Sequence, residues 1–135
     1  MDPDFSRALM ALHRELRGLY AAIARRFGLT PQQVELLCLL KDRTPSFGEL
    51  AALLGCDKTN ITGMVDRLER RSLLTRVADR SDRRISRLSL TDEGKALGDE
   101  LREAFTVHVA ERWGALPSSA AAAIVRLAQA DRERS

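Results

Sequence analysis

Residues 48–97 read GELAALLGCDKTNITGMVDRLERRSLLTRVADRSDRRISRLSLTDEGKAL and begin with two helical patterns separated by a tight turn. The first pattern predicts a short helix over Gly48–Leu54 that stops at Gly55. Asp57 is a good N-cap for the second helix, expected over residues 58–71, which has apolar residues on one face and polar residues on the other. This order is typical of a helix-turn-helix, whose second helix is the recognition helix.

A charged hairpin is expected after the second helix. Residues 73–78 and 85–90 favour strands, and the polar segment DRSDRR between them, residues 79–84, favours a turn. A hairpin in this position forms the wing of a winged helix-turn-helix. Thr91 and the residues that follow it then start a long helix, expected over residues 92–114.

Amphipathic helices flank this region on both sides. Residues 4–27 carry apolar side chains at steps of three and four: Phe5, Leu9, Leu12, Leu16, Leu19, Ile23 and Phe27. Gly28 is the expected C-terminal cap of this helix. Thr30-Pro31 opens a second helix, and Pro117-Ser118-Ser119 opens a final one. The first stripe is long for so small a domain, so we infer that part of it packs against another subunit.

The predicted fold class is therefore mainly α with a small β-hairpin wing. It combines a winged helix-turn-helix with a helical dimerisation region.

Positive charge is concentrated in the central region. The 135-residue chain has 22 Lys and Arg residues against 19 Asp and Glu residues, a net charge of +3. Residues 57–87 hold nine basic and five acidic side chains, so the rest of the chain is slightly negative. Such clustering is typical of a surface that binds phosphate groups, although charge alone would equally fit a solvated face.

The outward face of the predicted recognition helix suits a DNA major groove, because its first residues are short and polar. Asn can bond adenine edges, Lys or Arg can bond guanine, and Thr can offer a hydroxyl or a methyl group. The helix N-terminus can also bind a phosphate. An arginine near the wing tip, Arg83 or Arg84, can enter the narrow and negatively charged minor groove.

Several function classes find no support in the sequence. There is no nucleophile–base motif, glycine-rich phosphate loop or cofactor fingerprint, so we expect neither an enzyme nor a bound cofactor. The two cysteines and two histidines are too scattered for a zinc site: Cys38, Cys56, His13 and His108. No apolar run approaches the ~18–20 residues of a membrane span, and the N-terminus lacks signal-peptide features, so we expect a cytoplasmic protein.

Over about residues 28–98 the sequence resembles the MarR family of bacterial winged helix-turn-helix regulators. The shared pieces are Glu49-Leu50-Ala51, Leu54-Gly55, Val65-Asp66-Arg67-Leu68-Glu69, Leu73, Arg76, Asp82-Arg83-Arg84 and Leu90-Thr91-x-x-Gly94. The segment Gly28-Leu29-Thr30-Pro31-Gln32 is similar to the family's entry into its second helix. Ser72 departs from the pattern, since the family usually has glycine there. In a left-handed conformation serine costs about 1 kcal/mol relative to glycine.

The resemblance implies a single MarR-like domain over residues 1–135. Its winged helix-turn-helix lobe is expected at 28–92, and its helical dimerisation region at 1–27 and 93–135. The first and last helices would form a homodimer that places two recognition helices on a pseudo-palindromic operator in double-stranded DNA. In the family, small phenolic or other aromatic ligands often bind between the dimer helices and the DNA-binding lobe and weaken DNA binding.

Two sets of candidate site residues follow. The DNA-binding set lies on the recognition helix and the wing: Lys58, Thr59, Asn60, Thr62, Gly63, Arg67, Arg76, Asp82, Arg83 and Arg84. In the family, the pair that matches Asp82 and Arg84 braces the wing tip while the arginine reaches the minor groove. The ligand-binding candidates are His13, Arg17 and Tyr20. His13 and Tyr20, together with His108, equally suit polar positions in a dimer interface, which is the favoured interpretation.

The expected function is that of a homodimeric DNA-binding transcription regulator, a repressor, with release by a small aromatic ligand as a further expectation. Two alternatives stay open: a thiol-based oxidant sensor acting through Cys56, and a winged helix that binds a protein partner. Packing is favoured for Cys38 and Cys56, and oxidant-sensing relatives usually carry their reactive cysteine in the first helix, where this chain has none. The nine basic residues of the central region argue against the protein-binding alternative.

Overall fold

The structure is a computed structural model that describes residues 1–133, with side chains up to residue 130. In this part of the chain the elements, in order, are α1 (Pro3–Phe27), α2 (Pro31–Leu39), α3 (Phe47–Leu54), α4 (Lys58–Arg70), β1 (Leu74–Ala78), β2 (Ser86–Leu90), α5 (Asp92–Trp113) and α6 (Ser118–Glu133). The predicted fold class is confirmed, since the chain is mainly helical with one antiparallel two-stranded wing. Across the described residues, no helix has both the length and the apolar character that crossing a membrane requires.

The chain divides into two compact units, Met1–Phe105 and Thr106–Ser135. The first unit contains the whole helix-turn-helix and the wing, whereas α5 begins in the first unit and ends in the second. The expected dimerisation segment 93–135 extends two residues beyond the described part of the chain.

Side-chain and glycine caps set the ends of the first three helices. Thr30 and Ser46 each form a capping box, in which the cap hydroxyl and a Gln or Glu three residues later bond reciprocally to backbone N–H groups. Gly28 and Gly55 end α1 and α3 in the left-handed conformation, with φ of 66° and 64°. Asp57 occupies the N-cap position of α4 as predicted, but its side chain makes no capping hydrogen bond, so that part of the prediction is wrong.

The core of the first unit forms where α1 to α5 and the two strands meet. Its most deeply buried side chains are Ile23, Val34, Leu36, Leu37, Leu50, Ile61, Val65, Leu68, Leu88 and Leu101. The predicted apolar stripe of α4 is buried in full, since Met64 is also part of this core. Burial of this stripe turns the polar face of α4 towards solvent.

The wing is fixed to the lobe by a backbone contact that lies outside its own hairpin. Within the hairpin, Leu74 pairs with Leu90 and Ala78 with Ser86. The Leu88 N–H donates to the Pro45 carbonyl at 2.9 Å, and an isolated β-bridge joins Ser46 to Arg87. The segment that precedes α3 therefore pairs with β2 and holds the base of the wing against the helix-turn-helix.

A tight junction joins the end of α4 to the start of α5. Ser72 has φ of 59°, and the N–H groups of Ser72 and Leu73 donate back to carbonyls in the last turns of α4. The Thr91 hydroxyl donates to the Ser72 carbonyl at 2.6 Å and accepts from the Gly94 N–H at 3.0 Å. A Cβ at Gly94 would lie 1.8 Å from the Leu73 carbonyl oxygen, so only glycine fits there. These contacts explain the Leu-Thr-x-x-Gly motif.

The apolar stripe of α1 is divided between core and solvent. At its C-terminal end Ile23 is buried, but Phe5, Leu9, Leu12 and Leu16 are between 39% and 46% exposed. In α6, Ile124, Val125 and Leu127 are exposed as well. The N-terminal half of the α1 stripe is therefore not part of the core of the first unit.

Replacing Ser72 with glycine should stabilise the protein. Serine holds a left-handed conformation that glycine adopts without the steric cost of a Cβ, so we expect the free energy of unfolding to rise by about 1 kcal/mol. Urea unfolding followed by circular dichroism measures the change. Ser72→Ala is the matched control and should give no gain; equal stabilisation by both variants would contradict the left-handed strain.

Candidate nucleic-acid interface

The N-terminal half of α4 presents a continuous polar face. Lys58, Thr59, Asn60 and Thr62 are exposed, and Gly63 is half-buried. The Thr62 hydroxyl donates its hydrogen to the Lys58 carbonyl at 2.9 Å, which leaves its oxygen as an acceptor and its methyl group for apolar contact. The structure therefore places these predicted residues together on one open helical surface.

An ion pair orients the arginine at the wing tip. The Nε and Nη2 atoms of Arg84 donate to the two carboxylate oxygens of Asp82 at 3.0 and 3.1 Å. The side chain of Arg84 is 91% exposed, and its hydrogen bonds hold the pKa of Asp82 below its usual value. The guanidinium thus has a preferred direction while most of its surface stays accessible.

Asp79, which was not among the predicted site residues, organises the turn of the wing. Its carboxylate accepts hydrogen bonds from the N–H and hydroxyl of Ser81, the Asp82 N–H and the Arg87 Nε, the last at 2.5 Å. These donors, Ser81 first and Arg87 next, hold the pKa of Asp79 well below its usual range. An Asp at the start of a polar turn is the sequence signal for such a side-chain cap.

Arg87 connects this turn to the start of the helix-turn-helix. Besides Asp79, its guanidinium donates to the Thr44 carbonyl at 3.0 Å and to the Glu49 carboxylate at 3.3 Å. Sequence reasoning missed Arg87 because these last two partners lie about 40 residues away and meet it only through the fold.

Arg76 is paired with two carboxylates. Its guanidinium binds Asp66 at 2.5 Å and Glu69 at 2.7 Å, and it lies 5.0 Å from the centre of the Phe47 ring. Both carboxylates belong to α4, so Arg76 joins the first wing strand to the recognition helix. Its charge is compensated within the lobe.

Other cations of the predicted set are uncompensated. Within residues 1–130, no ion pair involves Lys58, Arg67 or Arg83, and all three are exposed. With Arg84, they give α4 and the wing tip exposed positive charge. Such a surface is suited to the negatively charged backbone of a nucleic acid.

The predicted ligand residues also come together. His13, Arg17 and Tyr20 line one pocket of about 600 Å³ between α1 and α2, where Glu35 faces them. Burial, followed by the charges of Glu35 and Cys38, raises the pKa of Tyr20, and its ring packs edge-on against Phe105 at 4.6 Å. His108 is not among the residues that line this pocket.

The two cysteines are half-buried and pack against the hydrophobic core. Burial raises the pKa of the Cys38 thiol, so a smaller fraction of it is thiolate at neutral pH. This environment disfavours Cys38 as an oxidant-sensing nucleophile.

Comparison with known proteins places this architecture in a family. Residues 29–86 match the model of the MarR family. The transcriptional repressor MdtR of Bacillus subtilis (strain 168) is 32% identical over 99 residues, which are 73% of this chain and 64% of MdtR. The crystal structure of YusO from Bacillus subtilis is 30% identical over 94% of each chain, with a TM-score of 0.65. The chain belongs to the MarR family. Its fold is the winged helix-turn-helix that the resemblance implied.

CouR is another MarR-like structure similar to this chain. CouR from Rhodococcus jostii RHA1, bound to p-coumaroyl-CoA, is 25% identical and covers 94% of this chain and 90% of CouR, with a TM-score of 0.82. The repressor CouR bound to a 23-mer DNA duplex is 28% identical and covers 92% and 89%, with a TM-score of 0.72. The aligned part of this chain spans slightly less than two thirds of the curated relative MdtR.

The contacts of Asp79 should make the stability of the wing depend on pH. The folded pKa of Asp79 lies below its unfolded value, so its contribution is present at neutral pH and is lost as the pH falls below about 4. We expect Asp79→Asn to unfold at lower urea concentration than the parent at pH 7, and the difference to shrink at acidic pH.

Asp42→Asn is the matched control, because Asp42 is exposed and no ion pair of the described residues involves it. Urea titrations between pH 3 and pH 7 compare the three proteins. A constant difference between Asp79→Asn and the parent across this range would show that the carboxylate charge has no part in holding the wing.

Proposed function

We propose that this protein is a transcriptional repressor that binds a pseudo-palindromic operator in duplex DNA as a homodimer. The observation that carries the proposal is the exposed polar and cationic surface formed by α4 and the wing tip. The lobe holds this surface in place, because one face of α4 is buried in the core and ion pairs hold the wing. Electrophoretic mobility shift with duplexes selected from a random library tests it.

In this proposal α4 lies in the major groove and the wing tip in the minor groove. Thr59, Asn60 and Gly63 lie on the open face of α4, where they can approach base edges. Arg84 approaches the minor groove in the direction that Asp82 imposes on it. The duplex in the complex of CouR supports DNA as the partner. Action on chromosomal DNA would place the protein in the cytoplasm.

The exposed half of the α1 stripe supports the proposal that a second copy of the chain is the dimer partner. Phe5, Leu9, Leu12 and Leu16 expose one continuous apolar line along three turns of the helix. Soluble monomers rarely leave such a line uncovered, and a twofold partner would bury it against its own counterpart. The exposed apolar residues of α6 fit the same role.

A small aromatic ligand is the proposed effector, and the pocket of His13, Arg17 and Tyr20 is its proposed site. The pocket borders α1 and α2, so a ligand there can alter how α1 sits on the DNA-binding lobe. Tyr20 offers an aromatic face, and Arg17 offers a positive charge for an acidic group. The p-coumaroyl-CoA of the CouR complex supports a ligand with an aromatic part.

Replacing Arg84 with alanine should weaken operator binding without unfolding the protein. Arg84 is exposed and, within residues 1–130, its ion pair is with Asp82, so its loss removes a DNA contact and leaves the core intact. We expect a loss of about 1–3 kcal/mol of binding free energy, roughly 5- to 150-fold, in a mobility shift assay. Arg25→Ala, an exposed arginine at the end of α1, is the control. Parent-like affinity of Arg84→Ala would exclude the wing from the interface.

Disrupting the α1 stripe should convert the dimer to a monomer. Light scattering on the parent should give about twice the chain mass of 15.0 kDa. Leu12→Asp places a charge in the exposed apolar line and should shift the mass towards one chain, with weaker operator binding because two half-sites are no longer linked. Ala11→Asp adds the same charge outside the stripe and should stay dimeric. A monomeric parent would refute the dimer.

A further inference from the structure

A cleft with several hydroxyl and cationic side chains separates α4 from the wing. Its volume is about 490 Å³, and its wall combines the start of α3, one side of α4 and the second half of the wing turn. Hydroxyl and cationic side chains line it together with the apolar Phe47 and Ile85; the former are Ser46, Lys58, Thr62, Arg76, Arg84 and Ser86. Thr59 and Asn60, which neighbour Lys58 on α4, do not line it.

Lys58 supplies the uncompensated charge of this cleft. Of its three cationic side chains, Arg76 is held by Asp66 and Glu69, and Arg84 is held by Asp82. No ion pair of the described residues involves Lys58. An anion that enters the cleft would therefore meet one ammonium group free to pair with it.

The side chain of Lys58 extends back across α3. A Cβ built on Gly48 would lie 3.3 Å from the Lys58 Cε and 3.7 Å from its Nζ, so the lysine stem rests on the open backbone of Gly48. This direction takes the ammonium away from Thr59 and Asn60 and into the cleft. The sequence assigned Lys58 to guanine edges, whereas its position favours a different partner.

We propose that Lys58 binds a backbone phosphate of the DNA strand that separates the major from the minor groove. This phosphate lies in the cleft. The inference rests on the proposed function: if α4 occupies one groove and the wing the next, the intervening strand crosses the cleft between them. Ser46 and Ser86 add hydroxyl donors, and Gly48 gives the space in which the lysine lies. Lys58 then contributes affinity and not sequence preference.

Salt dependence distinguishes a phosphate contact from a base contact. An operator selected with the parent and an unrelated duplex are titrated between 50 and 200 mM salt. Lys58→Gln should weaken binding to both and lower the slope of log affinity against log salt by about 1.8, which is about 0.9 for each copy of Lys58 in the dimer, so its deficit shrinks about twelvefold over this range. Lys95→Gln, a lysine outside the cleft, should leave the slope unchanged. Asn60→Ala should lose affinity for the operator alone.

Gly48→Ala tests the cleft without removing any charge. The added methyl group meets only the Lys58 side chain, and alanine is the better helix former, so thermal stability should be equal or higher. DNA affinity should nevertheless fall slightly, because the Lys58 side chain must shift by a few tenths of an ångström. In the Lys58→Gln background the same substitution should have no further effect on affinity.

Neutral methylphosphonate groups, placed one at a time in the operator, identify the partner. One position in each half-site should weaken the parent and leave Lys58→Gln unaffected. If every position weakens both proteins equally, Lys58 pairs with no backbone phosphate, and the proposal is overturned while DNA binding stands. If Lys58→Gln changes the preferred base and keeps the parent's salt slope, Lys58 contacts a base, and the proposal is again overturned. If the parent selects no duplex at all, the proposed function fails, and this assignment fails with it.

Discussion

Burial of one face of α4 is the constraint on which the other features of this protein depend. Ile61, Met64, Val65 and Leu68 are all in the core, so α4 cannot rotate about its axis without exposing a large apolar side chain. Fully burying one such side chain is worth about 1.5–3 kcal/mol. The same burial that stabilises the lobe therefore holds the polar face of α4 outward, in a direction suited to a groove of DNA.

Charged pairs then hold the wing relative to that helix. Arg76 ties β1 to α4, and Arg87 ties the turn and β2 to the residues that precede α3. Exposed ion pairs contribute little to stability one at a time, but these share the task of keeping a two-stranded hairpin in one orientation. Some basic residues of this region are thus paired cations that position elements, and others are unpaired cations that remain for a ligand. Arg84 is paired with Asp82 and still accessible to a ligand.

The neighbouring α1 shows how one periodic pattern can serve two environments. Its apolar spacing continues without a break, yet Ile23 is buried in the lobe and Leu9 is exposed. The spacing of apolar residues shows only that one face of the helix is apolar. Which turns of that face belong to the chain's own core depends on where the other helices end, and α2 to α5 cover only the C-terminal part.

The sequence by itself determined the elements, the buried face of α4 and the family, because local periodicity, caps and turn residues act over a few neighbouring positions. It marked Ser72 as a departure from the family pattern, and the structure showed its left-handed conformation. It also identified the Asp82–Arg84 pair through the family motif. Only the tertiary structure decided which cations are compensated. Three basic residues of one charged region have quite different surroundings. Arg76 pairs with Asp66 and Glu69, and Arg87 pairs with Asp79. Lys58 lies on the open backbone of Gly48. Some of these partners lie many residues away, and only the packing of α3, α4 and the wing brings them within reach.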